Sequence, residues 1–175
     1  MRNAVFILFL LLCQVPSCKK DKVIPTSGTV TINNKLVFAN NAQTYIGYGF
    51  TFSKADLVSI NANPGPDITI ESDGTNLSFQ ANNLKDSFYK AGEYPDAATA
   101  SAEFDKLTSL SVLHWEGMAS PVRPNQIWIY RTGDEHFAKL MVMSTISEVR
   151  ESRDYAECTF EWCYQPDGSL TFPAK

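Results

Sequence analysis

At 175 residues, 44% apolar and 12% aromatic, the chain has the length and hydrophobic content of one globular domain. Its formal charge is −4, and no basic cluster occurs beyond Lys19, Lys20 and Lys22, which argues against nucleic acid as a partner. With only two histidines, His114 and His136, and no Gly-rich phosphate loop, nucleophile elbow or His-Glu-x-x-His helix, the sequence carries no local signature of an enzyme.

In chain order, Met1-Arg2-Asn3 precedes an unbroken apolar run from Ala4 to Cys13. The run is too short to span a bilayer as a helix and matches the apolar region of an export signal. Val15-Pro16-Ser17-Cys18 then resembles the lipobox of bacterial lipoproteins, in which the Cys is acylated and becomes the mature N-terminus. Residues 1–17 are therefore read as a lipoprotein signal peptide, 18–27 as lipidated Cys18 with its tether, and 28–175 as a single β-rich domain. Lys19 after the Cys resembles the outer-membrane sorting rule, so the expectation is a cell-envelope protein held on the outer membrane by acyl chains such as palmitate. Loss of the first 17 residues removes Arg2 and leaves 14 basic against 19 acidic residues.

Beyond the tether, Gly28–Ile32 and Lys35–Phe38 flank Asn33-Asn34, which reads as a two-residue hairpin turn. Thr44–Phe52 alternates Ile46, Tyr48, Phe50 and Phe52 against Tyr45, Gly47, Gly49 and Thr51. Its paired glycines mark a bulge, a close backbone or a nearby ligand. Leu57–Ile60, Asp67–Ile70 and Leu77–Gln80 are further strands, and residues 81–95 show no period and read as irregular. Asp96 then caps a predicted helix over 97–107, with Ala100, Phe104 and Leu107 on one face. Leu110–Ala119 reads as a short strand running into a loop.

The last third is the clearest. Gln126–Arg131 alternates Ile127 and Ile129 against Trp128 and Tyr130. Thr132–Glu135 forms a tight connection. His136–Ile146 places Ala138, Leu140, Val142 and Ile146 opposite Phe137, Met141 and Met143, interrupted by Lys139. Both faces are apolar, as in a central strand covered on two sides. A charged loop over 147–154 leads to a strand with Cys158, Phe160, Trp162 and Tyr164 on one face and Thr159, Glu161 and Cys163 on the other. Gln165–Ser169 turns the chain, and Leu170–Pro173 returns as an edge strand. The fold class is thus mainly β: an antiparallel sandwich or meander of many short strands with one short helix.

Cys158 and Cys163 fall on opposite faces roughly 16 Å apart along a strand, beyond disulfide reach. Asp134, Glu135 and His136 have metal-like composition but read as an acidic turn. His114, Trp115 and Met118 lie together before Pro121. An imidazole or thioether beside an aromatic can supply an axial ligand to haem iron, whereas the plainer reading is a packed strand edge.

The meander resembles the HmuY-type haem-binding lipoproteins of Gram-negative anaerobes. The resemblance rests on Tyr48-Gly-Phe-Thr-Phe52 with Asp67-Ile-Thr-Ile70, on Gln126–Thr132 followed by Gly133-Asp134 and Phe137-Ala-Lys-Leu140, and on Thr159-Phe-Glu-Trp162 with Tyr164-Gln-Pro-Asp-Gly168. It implies a related fold, a lipid anchor and haem as ligand, held by His or Met on loops outside these motifs. The resulting expectation is an outer-membrane-anchored, non-enzymatic lipoprotein that binds a small apolar ligand, with haem as the named case. The alternative is an envelope interaction module docking on an outer-membrane transporter or surface complex. A hydrolase with dispersed carboxylates is a third reading.

Overall fold

The computed structural model describes residues 23–40, 43–83, 85–112 and 114–173. In chain order its first half holds β1 (Ser27–Asn33), β2 (Val37–Ala39), β3 (Thr44–Ile46), β4 (Tyr48–Thr51), β5 (Asp56–Ser59) and β6 (Ile68–Ser72). There follow β7 (Leu77–Ala81), β8 (Phe88–Glu93), α1 (Ala97–Lys106), β9 (Met118–Ala119), β10 (Gln126–Arg131), β11 (Phe137–Arg150) and β12 (Arg153–Gln165). Two five-stranded antiparallel sheets, ordered β1-β12-β11-β10-β8 and β5-β4-β6-β7-β9, face each other, and β2-β3 forms a separate ribbon. The architecture is the mainly β sandwich expected from the alternation, with one short helix.

The first sheet is apolar on both faces and so separates two cores. Trp128, Tyr130, Ala138, Leu140, Val142, Phe160 and Trp162 point inward against Phe50, Ile68, Ile70 and Phe79 of the second sheet. Ile127, Ile129, Met141 and Cys163 point outward, where Ala100 and Phe104 of α1 and Phe172 of the C-terminal tail cover them. The helix starts where Asp96 accepts from the Thr99 amide at 2.8 Å. Lys139, fully buried on this outer face, donates to the Phe104 and Leu107 carbonyls at 2.6 and 3.1 Å. A charge that breaks the apolar period of β11 thus satisfies the orphan carbonyls at the C-terminus of α1.

Several expectations are corrected. Asn33-Asn34 is not a hairpin turn. β1 pairs along its whole length with β12, from Ser27↔Cys163 to Asn33↔Glu157, and β2 pairs with β3 instead. Residues 147–154 are not a loop. β11 and β12 remain paired to Arg150↔Arg153, and Glu151 and Ser152 turn the chain with φ of 51° and 64°, the left-handed pair that a two-residue hairpin needs.

Ile146 does not share the face of Ala138, Leu140 and Val142, because the register shifts between Val142 and Ser144. The bulge at Met143 rotates the rest of the strand, so Ile146 opposes Glu157. Within 81–95, β8 is a regular edge strand on β10, its period hidden by a register shift opposite Ala91. The strand expected over 44–52 breaks at Gly47, and Leu170–Pro173 contributes only one bridge, Ser109↔Thr171, while burying Phe172.

Gly49 is the close approach that its residue type announced. A Cβ there would overlap the Ile68 carbonyl and come within 2.8 Å of the Pro66 ring. The neighbour is therefore backbone, not ligand.

Candidate functional site

The β11–β12 hairpin extends past the end of β1, because its own pairing continues for four residues on each strand after Asn33↔Glu157. Asn34 bridges the step. Its backbone amide donates to the Ala156 carbonyl at 3.1 Å, its Oδ1 accepts from the Ala156 amide at 2.9 Å, and its Nδ2 donates to the Asp154 carbonyl at 3.0 Å. One side chain thus stands in for a further strand residue and ties the hairpin arm to the point where the chain leaves the sandwich. The chain then turns into the β2–β3 ribbon, whose Phe38 and Tyr45 rings meet edge-on at 5.2 Å.

A cleft of about 730 Å³ opens between ribbon and hairpin, within the size range of small-molecule sites, roughly 300–1,000 Å³. It is lined by Asn34, Lys35 and Leu36 after β1, by Tyr45 of β3 and Glu71 of β6, and by Arg150, Glu151, Arg153, Asp154 and Tyr155 of the hairpin tip. Burial pushes the Glu71 carboxyl upward, offset in part by a hydrogen bond from the Asn34 amide. At the tip, Tyr155 donates to Glu157 at 2.5 Å. The Arg150 guanidinium lies 3.5 Å from the Tyr155 ring centroid and pairs with Glu148. Desolvation, followed by the bond to Glu157, raises the Tyr155 phenol.

Leu36, Val37, Phe38, Tyr45, Tyr48, Leu57 and Ile60, on or beside the ribbon, β4 and β5, are exposed large apolar side chains, and Leu36 and Tyr45 of these line the cleft. Leu36 and Ile60 converge on Gly47, where a Cβ would stand 3.4 Å from each. Leu36, next to the ribbon, and Ile60, next to β5, therefore lie close together.

A smaller concavity, about 230 Å³, lies at the other end of the second sheet beside Asp67, Asn82, Tyr130 and Asp134. Asp67 accepts from the Phe52 amide at 2.8 Å, and the Tyr130 hydroxyl donates to the Asp67 carbonyl at 2.9 Å. Burial raises the Asp67 carboxyl, and neighbouring Asp134 adds to the shift.

The residues singled out from the sequence are not assembled into either space. His114 is exposed. Trp115 packs on the outer core, stacked on Phe137 at 5.9 Å with the Arg131 guanidinium 4.8 Å from its ring. Met118 sits in β9 of the other sheet, where its sulfur accepts from Gln80 at 3.9 Å. His136 exchanges a hydrogen bond with the Tyr164 hydroxyl at 3.0 Å, and Glu135 pairs with Lys85 at 3.7 Å. Cys158 and Cys163 are free thiols buried on opposite faces of β12, and burial raises both. Cys18 and the lysines that follow it lie outside the described residues.

Among the described residues no group of three or more His, Cys, Asp or Glu side chains could hold a metal. The cleft offers iron neither imidazole nor thioether. Of its two phenols, that of Tyr155 is engaged by Glu157. The phenol left there to meet haem iron is that of Tyr45. The sequence missed this site because its parts come from four separated segments; the one local signal was the apolar run Leu36–Phe38.

The fold and this geometry define a β-sandwich protein with an open cleft between two hairpins. Its sequence matches no known protein family among those searched, and no curated protein matches it either.

Proposed function

We propose that this protein is a lipoprotein of the cell envelope, anchored to the outer membrane through Cys18, that captures a small ligand in the ribbon–hairpin cleft without catalysis. The observation that supports this reading is the cleft itself. It joins an exposed aromatic, Tyr45, to polar side chains from β6, the hairpin tip and the segment after β1, on a scaffold that Asn34 holds in place. Convergent polar groups beside an apolar surface are what small-molecule sites share. Haem remains the ligand that the HmuY resemblance implies, and it is the first probe. The test is a haemin titration followed by absorbance in both oxidation states. A saturable one-to-one Soret shift weakened by His114→Ala or Met118→Ala would move the site to the β9 edge. A featureless response removes haem and leaves the cleft for other ligands.

A second reading, docking on an outer-membrane transporter or surface complex, is supported by the exposed apolar side chains Leu36, Val37, Phe38 and Tyr45 of the ribbon and its approach. Contiguous exposed apolar surface is characteristic of interaction sites. A photo-crosslinker at Phe38 that captures one defined membrane protein, with no small molecule retained on native mass spectrometry, would favour it.

A further inference from the structure

The wall of the cleft has a chemistry of its own. Leu36 is its one purely apolar side chain, and Lys35, Arg150 and Arg153 are balanced by Glu71, Glu151 and Asp154. A wall with no net charge exerts no overall pull on either an anion or a cation. Several groups are already engaged: Asn34 by β12, Tyr155 by Glu157, and Arg150 by Glu148 and the Tyr155 ring. Lys35, Glu71, Arg153 and Asp154 make no ion pair among the described residues.

These four side chains divide into pure donors and pure acceptors, since ammonium and guanidinium only donate and carboxylates only accept. A ligand that answers both kinds without bringing net charge needs groups that donate and accept together. The hydroxyl does both through a single atom, where an amide needs two. Tyr45 supplies the complementary surface: the residue is 64% exposed, its ring meets Phe38 edge-on at 5.2 Å, and it lines the cleft with the polar groups. A pyranose has the matching anatomy, hydroxyls around its rim and a patch of C–H bonds on one ring face. A peptide backbone also carries donors and acceptors, but the amide places them on separate atoms and offers no saturated ring face to Tyr45, so it is the competing class.

We infer that the cleft binds a neutral oligosaccharide, with hydroxyls on Lys35, Glu71, Arg153 and Asp154 and one sugar ring stacked on Tyr45. This assignment rests on the reading of the cleft as a ligand site and names the class of ligand for it.

The test is calorimetric titration of the full chain, in a detergent without a sugar headgroup, with cellohexaose, maltohexaose, xylohexaose and chitohexaose. Haemin and a Gly-Ser hexapeptide are titrated in parallel. The expected result is a Kd below about 1 mM for at least one saccharide, weakened about tenfold or more by Tyr45→Ala and, independently, by Arg153→Ala. Saccharide binding that neither substitution weakens overturns the assignment. If no saccharide binds but haemin or the peptide does, with the same sensitivity to Tyr45→Ala and Arg153→Ala, the sugar class falls while the ligand site stands. If none of the six probes binds, both fall.

Discussion

Replacing Asn34 by Ala isolates the contact on which the cleft depends. The substitution removes the Oδ1 acceptor of the Ala156 amide and the Nδ2 donor to the Asp154 carbonyl, and keeps the backbone bond from residue 34 to Ala156. Two hydrogen bonds at about 0.5–1.5 kcal/mol each give a loss of about 1–3 kcal/mol. The true value should fall in the lower half, because Asn34 is only half-buried and water can reach the vacated groups. For a domain of this size the lower half of that range corresponds to a fall in Tm of about 2–8 °C.

Hydrogen exchange supplies the finer assay. Protection of the Ala156 amide should drop well beyond the global change, while amides of β10 and the lower half of β11 follow global stability alone. Ligand affinity at the cleft should fall with it, since the hairpin arm loses its tie to the segment after β1. A Tm within about 1 °C of the parent, together with unchanged Ala156 exchange, would refute the claim that the Asn34 side chain continues the β1–β12 ladder.

Phe172→Ala, which empties a site 2% exposed in the outer core, should cost about 3–5 kcal/mol in urea unfolding. Lys139→Met leaves the Phe104 and Leu107 carbonyls without their donor. It should destabilise by about 2–4 kcal/mol and selectively expose the last turn of α1 to exchange. Asp67 has a folded-state carboxyl raised above its ordinary value near 3.8 by burial, so the folded state holds its proton more tightly than the unfolded one. Its contribution to stability is therefore most favourable at low pH and is lost as pH rises through the window above 3.8. The difference in Tm between the parent and Asp67→Asn should grow across that window in favour of the variant; a flat difference would contradict the assignment. Finally, Cys158 and Cys163, at 0% and 2% exposure, should react with thiol reagents only under denaturing conditions, and oxidant should not join them.

The sequence exposed its architecture where alternation was uninterrupted, as along Ile127–Tyr130, apolar on both faces, and Cys158–Tyr164, whose aromatic face alternates with Thr159 and Glu161. It concealed the hairpin arm for the opposite reason. Residues 147–154 are solvated on both faces, so their composition is that of a loop even though the ladder runs on to Arg150↔Arg153. Single inserted residues at Met143 and Ala91 reversed the parity of β11 and erased that of β8. At Asn33-Asn34 a good local turn signal lost to a seven-pair ladder with β12. That partner lies more than a hundred residues away, and no local rule could reveal it. The cleft was illegible because it exists only once that ladder, the arm and the ribbon are assembled.

The direction of β1 has a mechanical meaning. The strand begins beside Cys163, at the end joined to the lipid-bearing segment proposed here, and finishes at Asn33 on the threshold of the cleft. Seven residues at about 3.3 Å each put roughly 20 Å between the two ends. A pull between the membrane and anything held in the cleft would run along β1 and load its rungs with β12 side by side, in shear, instead of unzipping them one after another. The same strand that sets the reach of the cleft is thus the element best arranged to bear tension from its anchor.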